Sequence, residues 1–98
     1  QVEYHDVFVA ADARTLLLKT YFELDEYDAL DALLESFKQF VTRRKELAYH
    51  KENYLNTIKF TRYLLNLNGR DKARKEALGK KIQGTKILTE KTWLLEKI

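Results

Sequence analysis

The 98-residue chain predicts an all-α fold of antiparallel helical hairpins, four to five helices in a single domain. Three observations predict it. Apolar residues recur at spacings of three and four through most of the length, which gathers them on one side of a 3.6-residue helix. The chain has no Pro and only three Gly, so little interrupts its helices. Where the periodicity breaks, residues that start or stop helices stand at the break: Asp25, Asn68-Gly69 and Asp71.

Gln1 to His5 reads as a frayed entry, and Asp6 as the N-cap of a first helix over Val7–Glu23. In that helix Leu17, Tyr21 and Leu24 form one apolar row and Ala11, Leu18 and Phe22 another, a stripe two rows wide. Asp25 is the expected N-cap of a second helix, Glu26–Arg44, with Asp28 reaching back as a shortened capping box. Acids at its start (Glu26, Asp28, Asp31) and bases at its end (Lys38, Arg43, Arg44, Lys45) suit the helix dipole. This hairpin, residues 7–44, is expected to close on Leu17, Tyr21, Leu30, Leu34 and Phe37. Periodicity stalls over Lys45–Lys51. A third helix, Lys51–Asn66, carries Tyr54, Ile58, Thr61 and Leu65 on one row and Phe60, Leu64 and Leu67 beside it. Asn68-Gly69 tolerates left-handed backbone and reads as its stop. Asp71 then caps a fourth helix, expected to run to the end through Gly79 and Gly84, with Gly84 the place for any bend. Leu78, Ile82, Thr85, Leu88 and Leu95 keep its stripe continuous, so residues 51–98 read as a second hairpin.

Leu17, Tyr21, Leu24 and Tyr27 carry a resemblance. Within Ala13–Phe40 they match, in register, a tetratricopeptide (TPR)-type repeat: Leu and an aromatic on a first helix, a tight turn, then an aromatic opening the second. The match is degenerate and covers under a third of the chain. Leu18 stands where that family prefers Gly, Asp25 where it prefers Gly in the turn, and Leu30 where it prefers Ala. The whole chain also resembles the C-terminal part of larger, uncharacterised bacterial helical-repeat proteins, which implies no activity. The resemblance implies a fragment of a TPR-like α–α superhelix that meets other proteins. A start at Gln1 and the lack of Met lead to the expectation of an excised piece of a longer chain.

Charge is unevenly placed. Residues 1–36 hold nine acids and two bases, net −7; residues 37–98 hold sixteen bases and six acids, net +10. Such a split fits a polyanion-binding half, two halves of one unit that attract each other, or a face for an adjoining repeat. No Cys means no disulfide, no thiolate ligand and no thiol nucleophile. With no visible leader, this points to a cytoplasmic setting. No apolar run approaches the ~20 residues that span a bilayer.

Candidate sites are few. The acids Glu23, Asp25, Glu26, Asp28 and Asp31 lack the Gly of a calcium loop, and capping accounts for them. His5 and His50 assemble neither a zinc set nor a catalytic constellation. Neither a catalytic residue, a metal nor a cofactor is expected. Tyr49, Tyr54 and Tyr63 among Lys51, Lys59 and Arg62 resemble an aromatic–basic surface for single-stranded nucleic acid. The competing expectation places Tyr54 in the core and Tyr63 half-buried. The polyanion candidates are Lys59, Arg62, Arg70, Arg74 and Lys81, with a solvated face as the default and nucleic acid the less favoured partner.

The last helix supplies the candidate interface: Ile87, Leu88, Trp93, Leu94 and Ile98. On one continuous helix, Leu88 and Leu95 continue the inner row, while Ile87, Leu94 and Ile98 form a second row that needs another partner. That partner is expected to be preceding repeats, another domain, or a second copy in a homodimer. The leading expectation is a non-catalytic helical module for protein–protein interaction or structural packing, with polyanion binding as the alternative.

Overall fold

The computed structural model describes residues 4–67 and 69–98, and every described element is helical. Helix α1 spans Tyr4–Glu23, α2 Tyr27–Arg43, α3 Lys51–Leu65, α4 Lys72–Gly84 and α5 Lys91–Glu96; a 3-10 segment, Lys45–His50, joins α2 to α3. Helix α1 begins earlier than expected, so Asp6 lies inside its first turn and does not cap it.

The α1–α2 turn is built differently from the sequence expectation. Asp25 takes φ 59°, the left-handed region. Its N–H donates to the Phe22 carbonyl at 3.2 Å, and that of Glu26 to the Tyr21 carbonyl at 2.9 Å. This paired pattern closes the C-terminus of α1. Asp25 therefore ends the first helix and does not cap the second. The N-cap of α2 is Glu26, without a side-chain capping bond. The Asp25 carboxylate instead accepts from the Tyr27 hydroxyl at 2.8 Å, which raises the phenol's pKa.

Helices α1, α2 and α3 pack side by side. Ala11 and Leu18 of α1, Leu30, Leu34, Phe37 and Val41 of α2, Leu47, and Tyr54 and Ile58 of α3 form the first buried cluster. Of the predicted core, Leu30, Leu34 and Phe37 are fully buried and Tyr21 partly so; Leu17, contrary to expectation, is exposed, because it lies on the side of α1 that faces away from α2. The buried hydroxyls of Thr15, Thr57 and Thr61 donate to carbonyls four residues back, so they cost the core little. The Tyr54 hydroxyl donates to Asp12 Oδ1 at 2.7 Å; burial and that carboxylate push its pKa well up.

The second half departs most from expectation. Helix α3 stops at Leu65, capped by Asn66, whose N–H donates to the Arg62 carbonyl. Gly69 does not take positive φ, and Asn68 lies outside the described residues. Asp71 caps α4 as expected, accepting from the Arg74 N–H at 3.0 Å. The long fourth helix does not form. It ends at Gly84, Thr85 is extended, and the chain turns back to α5. Two asparagines of α3 hold this return: Asn53 Oδ1 accepts from the Thr89 N–H at 2.7 Å, and Asn56 Nδ2 donates to the Ile87 carbonyl at 3.0 Å. The return drops Leu88 and Leu94 into a second buried cluster with Phe60, Leu64, Leu78 and Ile82. Helix α3 thus serves both clusters, and Phe22 and Trp93 pack against each.

Candidate functional site

The return of α5 rewrites the expected C-terminal interface. Ile87, Leu94 and Ile98 do not form one outward row, because Ile87 sits in the loop before α5. Leu94 is fully buried and Leu88 nearly so. Ile98 lies beside α4, where a β-carbon at Gly79 would meet its Cδ1 in ordinary contact at 3.7 Å. Trp93 packs edge-on against Phe22 of α1, ring centroids 5.4 Å apart, and its Nε1 donates to Glu23 Oε2 at 2.9 Å. Lys97 pairs with the same carboxylate, and Lys19 of α1 reaches Glu90 at 2.9 Å. The Lys97 ammonium first, then the Trp93 N–H, hold the Glu23 carboxyl below its ordinary range. The residues expected to seek another molecule are engaged within the chain, Leu88 and Leu94 among α3 and α4 side chains, Ile98 beside α4 and Trp93 against α1; only Ile87 stays largely open.

The basic candidates divide. Arg62 faces α2, its two terminal nitrogens 3.4 Å from Asp31 and 3.2 Å from Glu35. Arg70 lies in the turn before α4. Arg74 pairs with Asp71 at 3.3 Å, and the Lys59 ammonium lies 4.9 Å from the Phe60 ring centroid. Arg74 and Lys81, seven apart on α4, line a groove of about 410 Å³ together with Tyr63 of α3, Asn66, Leu67, Ala77 and Leu78. The structure thus brings Tyr63, Arg74 and Lys81 together and turns Arg62 away. Tyr54 is core; Tyr49 is exposed and stacks on His50 with centroids 4.2 Å apart.

The surface that sequence reasoning missed is on α1. At 100° per residue, Val9, Ala13, Leu16, Leu17, Thr20 and Leu24 fall within an arc of about 100°, opposite the buried Ala11, Thr15 and Leu18. All six are exposed, Leu16 and Leu24 to more than 60%. No charged residue between Val9 and Leu24 falls in that arc. The face is uncharged over a length of about 22 Å at 1.5 Å per residue. The signal was present as an unusually wide stripe: Leu17 and Leu24 look outward while Leu18 and Phe22 look inward.

Among the described residues, no group of three or more His, Asp or Glu side chains is arranged to hold a metal ion, and no helix is long and apolar enough to cross a membrane. Comparison with protein-family models, with curated proteins and with solved structures finds no match.

Proposed function

We propose that the chain is a non-catalytic interaction module that packs, helix against helix, on an uncharged apolar surface of another protein. The observation that carries this reading is the outward face of α1. A helix apolar on both sides loses free energy by leaving one of them in water, and contiguous exposed apolar surface marks interaction sites. The face is one helix wide and carries no charge, so the surface that fits it is another apolar helix. The resemblance to tetratricopeptide-like repeats supports the same reading, and a cytoplasmic setting goes with it.

For the chain by itself, the available apolar helix is α1 of a second copy. Sedimentation of the wild type beside Leu16→Lys and Val9→Lys tests the reading. We expect the wild type to associate as concentration rises. Both variants should stay monomeric while losing no more than about 0.5 kcal/mol of stability, the range of ordinary surface substitutions. A wild type that stays monomeric at every concentration, or variants that associate equally, would remove α1 as the docking face.

Polyanion binding by the second half is the second reading, favoured by the meeting of Tyr63, Arg74 and Lys81 at one groove. Affinity for a short single strand that falls steeply with salt and is lost in Lys81→Glu would support it. No binding at low salt would end it.

A further inference from the structure

Three guanidinium groups gather at the α2 end of the first hairpin, away from its acidic turn. Ser36, Gln39, Phe40 and Arg43 share one side of α2 by their spacings of three, four and seven. Arg14 of α1 and Arg44 after α2 both lie over the Phe40 ring, 4.1 and 4.4 Å from its centroid. Together the six residues line a recess of about 240 Å³.

These arginines differ from the others. Arg62 and Arg74 are matched by carboxylates. Among the described residues, Arg14, Arg43 and Arg44 have no carboxylate partner. Arg14 spends one donor on the Ala10 carbonyl at 3.0 Å; a guanidinium has five. The dipole of α2 accounts for Arg43 and Arg44 at its end. It does not account for Arg14, which sits in the middle of α1. Holding three like charges together is unfavourable unless an anion joins them.

We propose that this recess binds a phosphate monoester carried on a partner polypeptide, as phosphoserine or phosphothreonine. Such a group brings nearly two negative charges and three acceptor oxygens, matching three guanidinium forks better than a single carboxylate does. The recess holds one such group and is not a track. The same hairpin carries Glu23, Asp25, Glu26, Asp28 and Asp31 toward its other end, and Glu35 stands next to Ser36, its carboxylate held by Arg62 and Gln39. A nucleic-acid backbone or an anionic membrane would meet those acids over its length; one isolated dianion meets the arginines. The Phe40 ring fixes two of the guanidiniums in advance, so less side-chain freedom is lost on binding. The inference rests on reading the chain as a protein-interaction module, but uses a surface separate from the outward face of α1.

Nuclear magnetic resonance titration of the whole chain tests it. The probes are a short Gly- and Ala-flanked phosphoserine peptide, its unphosphorylated twin, and inorganic phosphate. At millimolar concentration the phosphopeptide should shift the side-chain Nε–H signals of Arg14, Arg43 and Arg44 and the amides of Ser36 and Gln39; the twin should shift none. Arg14→Gln and Arg44→Gln should each weaken binding about tenfold, the loss of one charge-assisted pair, and Arg74→Gln on α4 should leave it unchanged. Should either Gln variant fail to fold, Arg14→Lys and Arg44→Lys keep the charge, lose the fork, and should still weaken binding. Shifts spread evenly along Lys72–Lys81, or no saturable shift, would overturn the site. Inorganic phosphate binding as tightly as the phosphopeptide would overturn the peptide assignment. An oligonucleotide or an anionic vesicle moving the same signals at lower concentration would reassign the recess to that polyanion. A wild type that fails to self-associate leaves this titration untouched, so the two readings fail separately.

Discussion

Two residues hold backbone conformations that a β-carbon resists. Asp25 has φ 59°, and Ala48, inside the 3-10 segment, has φ 50° with ψ −130°. The first is the left-handed helical region, which Asp tolerates through its short polar side chain; the second is far less accessible to any residue but Gly. Ala48→Gly should therefore stabilise the fold by about 1 kcal/mol, strain relief outweighing the extra freedom of the unfolded chain. Asp25→Gly should gain only a few tenths by the same argument. Chemical denaturation of both variants checks the order, and a loss at Ala48→Gly would contradict it. Asp25 was legible as a punctuation mark and misread in kind. Asp favours both the start of a helix and the left-handed stop of one, and only the position where α1 ends decides between them.

At the scale of the elements, α1 shows why periodicity finds a helix more easily than it finds the helix's inside. Leu17, Tyr21 and Leu24 make as good a row as Ala11, Leu18 and Phe22, yet the small Ala11 is fully buried and Leu17 and Leu24 are exposed. Helix α2 has one apolar side, and its core residues were legible. The contrast predicts unequal costs: Leu34→Ala should lose about 2–5 kcal/mol, as buried Leu truncations do. Leu17→Ala should lose about 1 kcal/mol or less, near the range of surface changes. Equal losses in thermal denaturation would put Leu17 back in the core. The break at Gly84 was legible only as a weak point. The apolar stripe runs past it without interruption, and what fixes the return is Asn53 and Asn56, 36 and 31 residues from the Thr89 and Ile87 that they hold. Local pattern carries no trace of such contacts, and with the turn unseen the C-terminal apolar residues read as an interface.

The whole molecule is closed by α5 against α1. The charge asymmetry legible in the sequence is partly spent inside the fold, since Glu23, Asp31 and Glu35 of the acidic half meet Lys97 and Arg62 of the basic half. The closure is pH-dependent in a definite direction. The folded pKa of Glu23 lies below its ordinary value of 4.5. Its contribution is present in full above that value and is lost as pH falls through the lower, folded value. Acidification below about pH 4.5 should therefore release the Trp93 and Lys97 bonds and loosen α5. Trp93 is the sole tryptophan, so its fluorescence reports the event directly. Glu23→Gln should weaken that acid-induced change, and an unaltered profile in the variant would assign the release to another group.

The Trp93–Glu23 bond joins positions 70 apart in the chain. Closing so long a loop costs more entropy than closing the short turn between α1 and α2. The α1–α2 hairpin is therefore expected to close before the α5 clasp. In the interval between them, Phe22 lacks its Trp93 cover while the outward side of α1 is also bare. For that time α1 is apolar to water on two sides, and the short-lived species before the clasp shuts is the one most prone to aggregate.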